Sequence, residues 1–126
     1  MKGLLPVARR LLAVCAALSL TACVTVNTHR TLYAWGSYEE LIYASNVKPG
    51  SLTPEAQADQ MEKDRQSAEA AGKRLPPGWH AQMASLYAQS GRLDLAEQEL
   101  HAEKAAFPES ATLMDRLLAN LRKTRP

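Results

Sequence analysis

Cysteine is nearly absent from the chain. It has only two in 126 residues, Cys15 and Cys23, too few for the disulfide framework that staples many small exported domains. Zinc chemistry is equally poorly provided for. There are three histidines and no HExxH spacing, whereas a zinc site needs three or four convergent ligands. Serine-hydrolase, P-loop and dinucleotide-binding signatures are missing as well. No segment shows the apolar–polar alternation of a half-buried strand, and no apolar run is long enough to span a bilayer as a helix. These absences exclude several function classes before any residue is singled out. What remains is an ordinary globular balance, 46% hydrophobic and 22% charged, sized for one domain at most.

The first 22 residues, MKGLLPVARRLLAVCAALSLTA, follow another logic. Lys2, Arg9 and Arg10 form a basic start, and Leu11 to Leu20 an apolar core of signal-peptide length. Leu20-Thr21-Ala22-Cys23 then resembles a bacterial lipobox. The resemblance implies diacylglyceryl transfer to the Cys23 thiol, cleavage before it and acylation of the new amine. Cys15 leaves with the signal, so the mature chain has no free thiol and no disulfide. Its charge also changes sign: losing three of the 15 basic residues leaves 12 against 13 acidic ones. Nothing therefore points to nucleic acid. Several acyl chains on one residue anchor stably, at about 0.8 kcal/mol per buried methylene. Val24, where an aspartate would favour inner-membrane retention in proteobacterial lipoproteins, implies the outer membrane, with the protein facing the periplasm.

Residues 23–36 read as the lipidated cysteine and a short tether, and residues 37–126 as the folded domain. Val24 to Arg30 reaches about 25 Å when extended, so the domain works close to the membrane. Ser37-Tyr38-Glu39-Glu40 fits a capping box, followed by an apolar side of Tyr38, Leu41, Ile42 and Ala44. Thr53-Pro54 starts a second helix and Gly72 stops it. Its buried positions read as Ala56, Met61, Ala68 and Ala71, with Asp59–Lys63 and Glu69–Lys73 as i,i+4 pairs on a solvated face. After Pro76-Pro77-Gly78, Trp79, Met83, Leu86 and Tyr87 recur as one amphipathic stripe. Leu93, Ala96, Leu100 and Phe107 repeat it past Gly91. Ser110 reads as the cap of a last helix striped by Leu113, Met114, Leu117, Leu118 and Leu121. The expectation is an all-α fold of about five helices, with one hairpin between an N-terminal helix pair and a C-terminal capping helix.

That hairpin resembles a tetratricopeptide repeat running from about Pro77 to Ser110. Ala84, Tyr87, Gly91, Ala96, Leu100 and Pro108 fall at the repeat's marked positions. His80 replaces the tryptophan, which stands one place early at Trp79, and Glu103 takes a normally small site. A lone repeat cannot bury its faces, so flanking helices must complete the core. Through TLYAWGSYEE, KPGSLTPE, LPPGWHA, LYAQSGRLDLAEQEL and EKAAFPES, the chain is similar to the domain-of-unknown-function-4810 family of small bacterial lipoproteins. The resemblance implies neighbours like the curli secretion-channel lipoprotein and a further small lipoprotein. It implies no activity.

Several residues invite a chemical role. His80 reads as a polar residue opening a packed helix, and His101 as partly exposed. Glu103, at a crowded position, needs hydrogen bonds from amides or a nearby cation; the alternatives are a partner-facing role or catalysis with His80. Tyr33, Trp35, Tyr38 and Tyr43 read either as a lid over the hairpin or as an exposed docking patch. The sequence thus predicts a non-enzymatic outer-membrane lipoprotein with no metal and no cofactor beyond the covalent lipid on Cys23. It would act as an adaptor or assembly factor for an envelope lipoprotein complex, with Tyr33, Trp35, Tyr38 and Glu103 facing the partner. The alternative is an envelope-ligand binder that contacts peptidoglycan or lipid.

Overall fold

A computed structural model describes residues 31–124. Cys23, the signal segment and the tether up to Arg30 lie outside the described residues. Among the described residues the fold is all-α, with five helices: α1 Tyr38–Val47, α2 Pro54–Ala70, α3 Trp79–Gln89, α4 Leu93–Ala106 and α5 Ala111–Thr124, the last preceded by a 3-10 turn at Pro108–Ser110. The compact unit begins at Thr31, so residues 31–36 belong to it and not to the tether.

The centre of the fold is α3, which is apolar on two sides. Trp79, Met83 and Leu86, at i, i+4 and i+7, pack with Leu41 of α1 and Ala58 and Met61 of α2. On another side Ala84 packs with Ala96 and Leu100 of α4 and with Met114 and Leu118 of α5. Tyr87 touches both clusters. Trp79, Met61 and Met83 are fully buried, and each such side chain contributes about 1.5–3 kcal/mol by leaving water. Small residues on the second side let α3 and α4 approach closely, and the intervening turn reverses the chain at Gly91.

Several local expectations are corrected. Ser37 does not cap α1: its hydroxyl and its amide both donate to Asp64 Oδ2, at 2.5 and 2.8 Å. The preceding Gly36 has φ +50°, and a Cβ there would stand 2.5 Å from the Asp64 carboxyl carbon. Residues 36–37 therefore wrap a carboxylate reaching from α2, and a side chain at position 36 would strain the backbone and push that carboxylate off Ser37. On α2 the buried stripe is Ala58, Met61 and Ala68, not Ala56 and Ala71. Asp59, Lys63, Glu69 and Lys73 are exposed as expected, while Asp64 and Arg65 are half-buried. Lys73 reaches the Thr31 hydroxyl (3.4 Å) in place of the expected Glu69 pair. Ser110 donates to the Phe107 carbonyl (2.7 Å) and leaves α5 to start from the 3-10 turn. Of the α5 stripe, Leu113 and Leu117 are exposed. Thr53 does cap α2, accepting from the Ala56 amide (3.2 Å).

Candidate functional site

Three features stand out from the helix packing. The first is a buried charge cluster. On α4 the buried stripe is Ala96, Glu99, Leu100 and Glu103, so two of its four inward positions are acidic. Arg65 of α2 donates through Nη2 to Glu99 Oε1 (2.5 Å), and His80 of α3 lies with Nδ1 2.6 Å from Glu99 Oε2. A carboxylate only accepts, so His80 carries its proton on Nδ1. Burial pushes the Glu99 carboxyl upward, but the hydrogen bonds and charges of His80 and Arg65 outweigh it and hold Glu99 below the usual carboxylate range. Arg65 is pulled down by burial, yet Glu99 and Glu62 raise it overall. Its guanidinium lies 4.9 Å from the centre of the Trp79 ring, a cation–π placement. One cluster thereby ties α2, α3 and α4 together.

Glu103 solves a different problem. Gly78 stands at the N-cap of α3 with φ +86° and no side chain to accept an amide. Glu103 supplies the missing acceptor from α4: the Gly78 amide donates to Oε1 (2.6 Å) and the His80 amide to Oε2 (3.2 Å). A negative group at a helix N-terminus also opposes the helix dipole favourably. Glu103 is 2% exposed, so its expected partner-facing role is corrected, since both oxygens are spent inside. Burial, and then the Glu103 charge, raise the nearby Tyr38 hydroxyl above its ordinary value. The shallow cavity beside His80 is lined by Arg65, Arg74 and Phe107 among others, and Glu103 is not part of its wall.

The second feature is an aromatic run. Phe107, Tyr33, Trp35 and Tyr38 follow one another at ring-centre separations of 6.2, 6.3 and 6.4 Å. Tyr33 forms a parallel bridge with Arg74, and the Ala34 amide donates to the Arg74 carbonyl (2.8 Å). The Arg74 side chain in turn donates to the Ala106 carbonyl at the end of α4 (3.3 Å). Tyr33 thus belongs to a lid over the hairpin. Trp35, by contrast, is 38% exposed and Tyr43 67%. Within this segment Tyr33 packs on the end of the hairpin, while Trp35 and Tyr43 are exposed.

The third feature is a groove of about 260 Å³ between α3 and α5. Ala81, Ala84, Ser85 and Ala88 line it from α3, Ala96 and Leu100 from α4, and Leu117 and Leu121 from α5. His101 is exposed on α4, 3.9 Å from Glu97. Among the described residues no group of three or more histidines, cysteines or carboxylates is placed to hold a metal ion.

The family described as domain of unknown function (DUF4810) matches residues 32–117. The chain belongs to that family. Its match covers the aromatic run, the charge cluster and most of the groove wall, and leaves out Cys23. No curated protein and no solved structure matches this DUF4810 chain.

Sequence reasoning missed Glu99 and Arg65. The signal was present in their spacing: Glu99 falls three residues after Ala96 and four before Glu103, and Arg65 four after Met61, all on buried helical faces. Charge alone made them look solvent-facing.

Proposed function

We propose that this DUF4810 protein is a non-enzymatic lipoprotein, anchored through Cys23 in the outer membrane and facing the periplasm. In this reading it serves as an adaptor in assembling an envelope lipoprotein complex, one member of which resembles the curli secretion channel. One observation carries the reading: the small-residue groove between α3 and α5. The alanines that line it leave room for a large apolar side chain from a partner. Asn120 and Thr124 at its edge offer hydrogen bonds that fix orientation. A mostly apolar concavity with a few polar groups is the usual form of a recognition site. Leu113 and Leu117, exposed beside it, extend the apolar surface.

Mild crosslinking in cells followed by affinity capture from solubilised membranes tests the reading. The expected result is recovery of another envelope lipoprotein, identified by mass spectrometry, and its loss in a Cys23→Ala control. Equal recovery from both chains, or from neither, contradicts it.

A further inference from the structure

We propose that the side of the domain formed by Trp35, Ile42 and Tyr43, with Leu32 beside the chain entry, rests on the headgroup surface of the membrane that holds the protein. The inference rests on the lipid-anchor reading of Cys23 and adds an orientation to it.

Trp35 stacks on Tyr38 with ring planes 23° apart. Tyr38, Ile42 and Tyr43 line one shallow concavity on α1, together with Glu39 and Asn46. Trp35 and Tyr43 thus flank a single apolar patch. Leu32 is 68% exposed, Tyr43 67% and Val47 53%, a large apolar exposure for so short a stretch. Tryptophan and tyrosine are the side chains that favour the boundary between hydrocarbon and water, because each joins an apolar ring to a polar tip.

The path of the chain names the occupant. Residues 24–30 separate Cys23 from Thr31, a reach of about 25 Å. Leu32 and Trp35 are the first large exposed apolar side chains of the folded unit after that tether. A short tether holds them at high effective concentration near the bilayer, so a contact too weak to recruit a free protein is enough to orient an anchored one. Glu39 and Glu40, exposed on the same helix, set the kind of surface. Two carboxylates disfavour an anionic leaflet, so the contact is with zwitterionic headgroups through the rings. The α3–α5 groove is built from neither α1 nor the entry segment, which leaves it free for a protein partner while the domain is docked.

The two tryptophans make the proposal measurable, because Trp79 is fully buried and Trp35 is not. The lipidated full chain is reconstituted into phosphatidylethanolamine–phosphatidylcholine vesicles whose acyl chains are brominated near the headgroup. The expected result is at least a twofold loss of Trp35 emission relative to unbrominated vesicles. Trp35→Phe, which leaves only Trp79, should show no such loss. If the chain floats with the vesicles but Trp35 emission is unchanged by bromine, docking is overturned and the anchor stands. If the chain fails to float, anchor and docking fall together.

Discussion

Replacing Glu99 with alanine should lower the unfolding free energy by about 2–3 kcal/mol, because it strips half-buried Arg65 and His80 of their shared acceptor and leaves Arg65 only its ion pair with Glu62. At about 4–8 °C per kcal/mol for a domain of this size, thermal unfolding followed by circular dichroism should show a fall of about 10–20 °C. The cost belongs to donors left short of an acceptor and not to the net worth of the ion pair. Arg65→Met combined with Glu99→Leu should therefore recover most of the loss, since apolar side chains of similar volume remove both desolvation penalties. A single variant within about 0.5 kcal/mol of the native protein would show that Glu99 is not a structural keystone. Acid should act on the same group. The folded carboxyl titrates below its ordinary value, so its stabilisation is complete above the unfolded value of roughly 4.3. It is lost as pH falls through the folded value. Stability should decline in that acid window, and Glu99→Gln should flatten the decline.

Glu103→Ala should cost about 2–4 kcal/mol by a different route. It strips the acceptor from two amides at the N-terminus of α3, and a buried donor left unpaired costs about 1–3 kcal/mol. Glu103→Gln keeps one carbonyl oxygen and so should lose roughly half as much. Denaturant unfolding of the three proteins gives the ranking directly. If alanine and glutamine are equally mild, the Gly78 and His80 amides are satisfied elsewhere and the capping role is wrong.

These two glutamates also mark where the sequence stops being legible. The all-α architecture could be read from Pro54, Gly72, Pro76-Pro77, Gly91 and Pro108, which bracket the helices, and from the stripe of Trp79, Met83 and Leu86. The α3–α4 hairpin could be read from the small residues Ala84 and Ala96. Hydrophobic periodicity, however, registers only apolar burial. Arg65, Glu99 and Glu103 occupy inward positions because each finds its partner on another helix, and a single-helix pattern contains no trace of that partner. Ser37 failed as a cap for the same reason: Asp64, 27 residues away, binds it more fully. Leu113 and Leu117 erred in the opposite direction. Their spacing fits a buried face, but no further helix among the described residues covers them.

That uncovered surface, with the groove beside it, is the part of the fold on which the adaptor reading depends. A photo-crosslinking amino acid placed at Ser85, an exposed residue that lines the groove, tests it most directly when compared with one at Gln66, exposed on α2. In cells making the lipidated chain, the account predicts a discrete adduct with another envelope lipoprotein from Ser85 and none from Gln66. Adducts of equal yield at both positions, or none at Ser85 in correctly anchored protein, would contradict it.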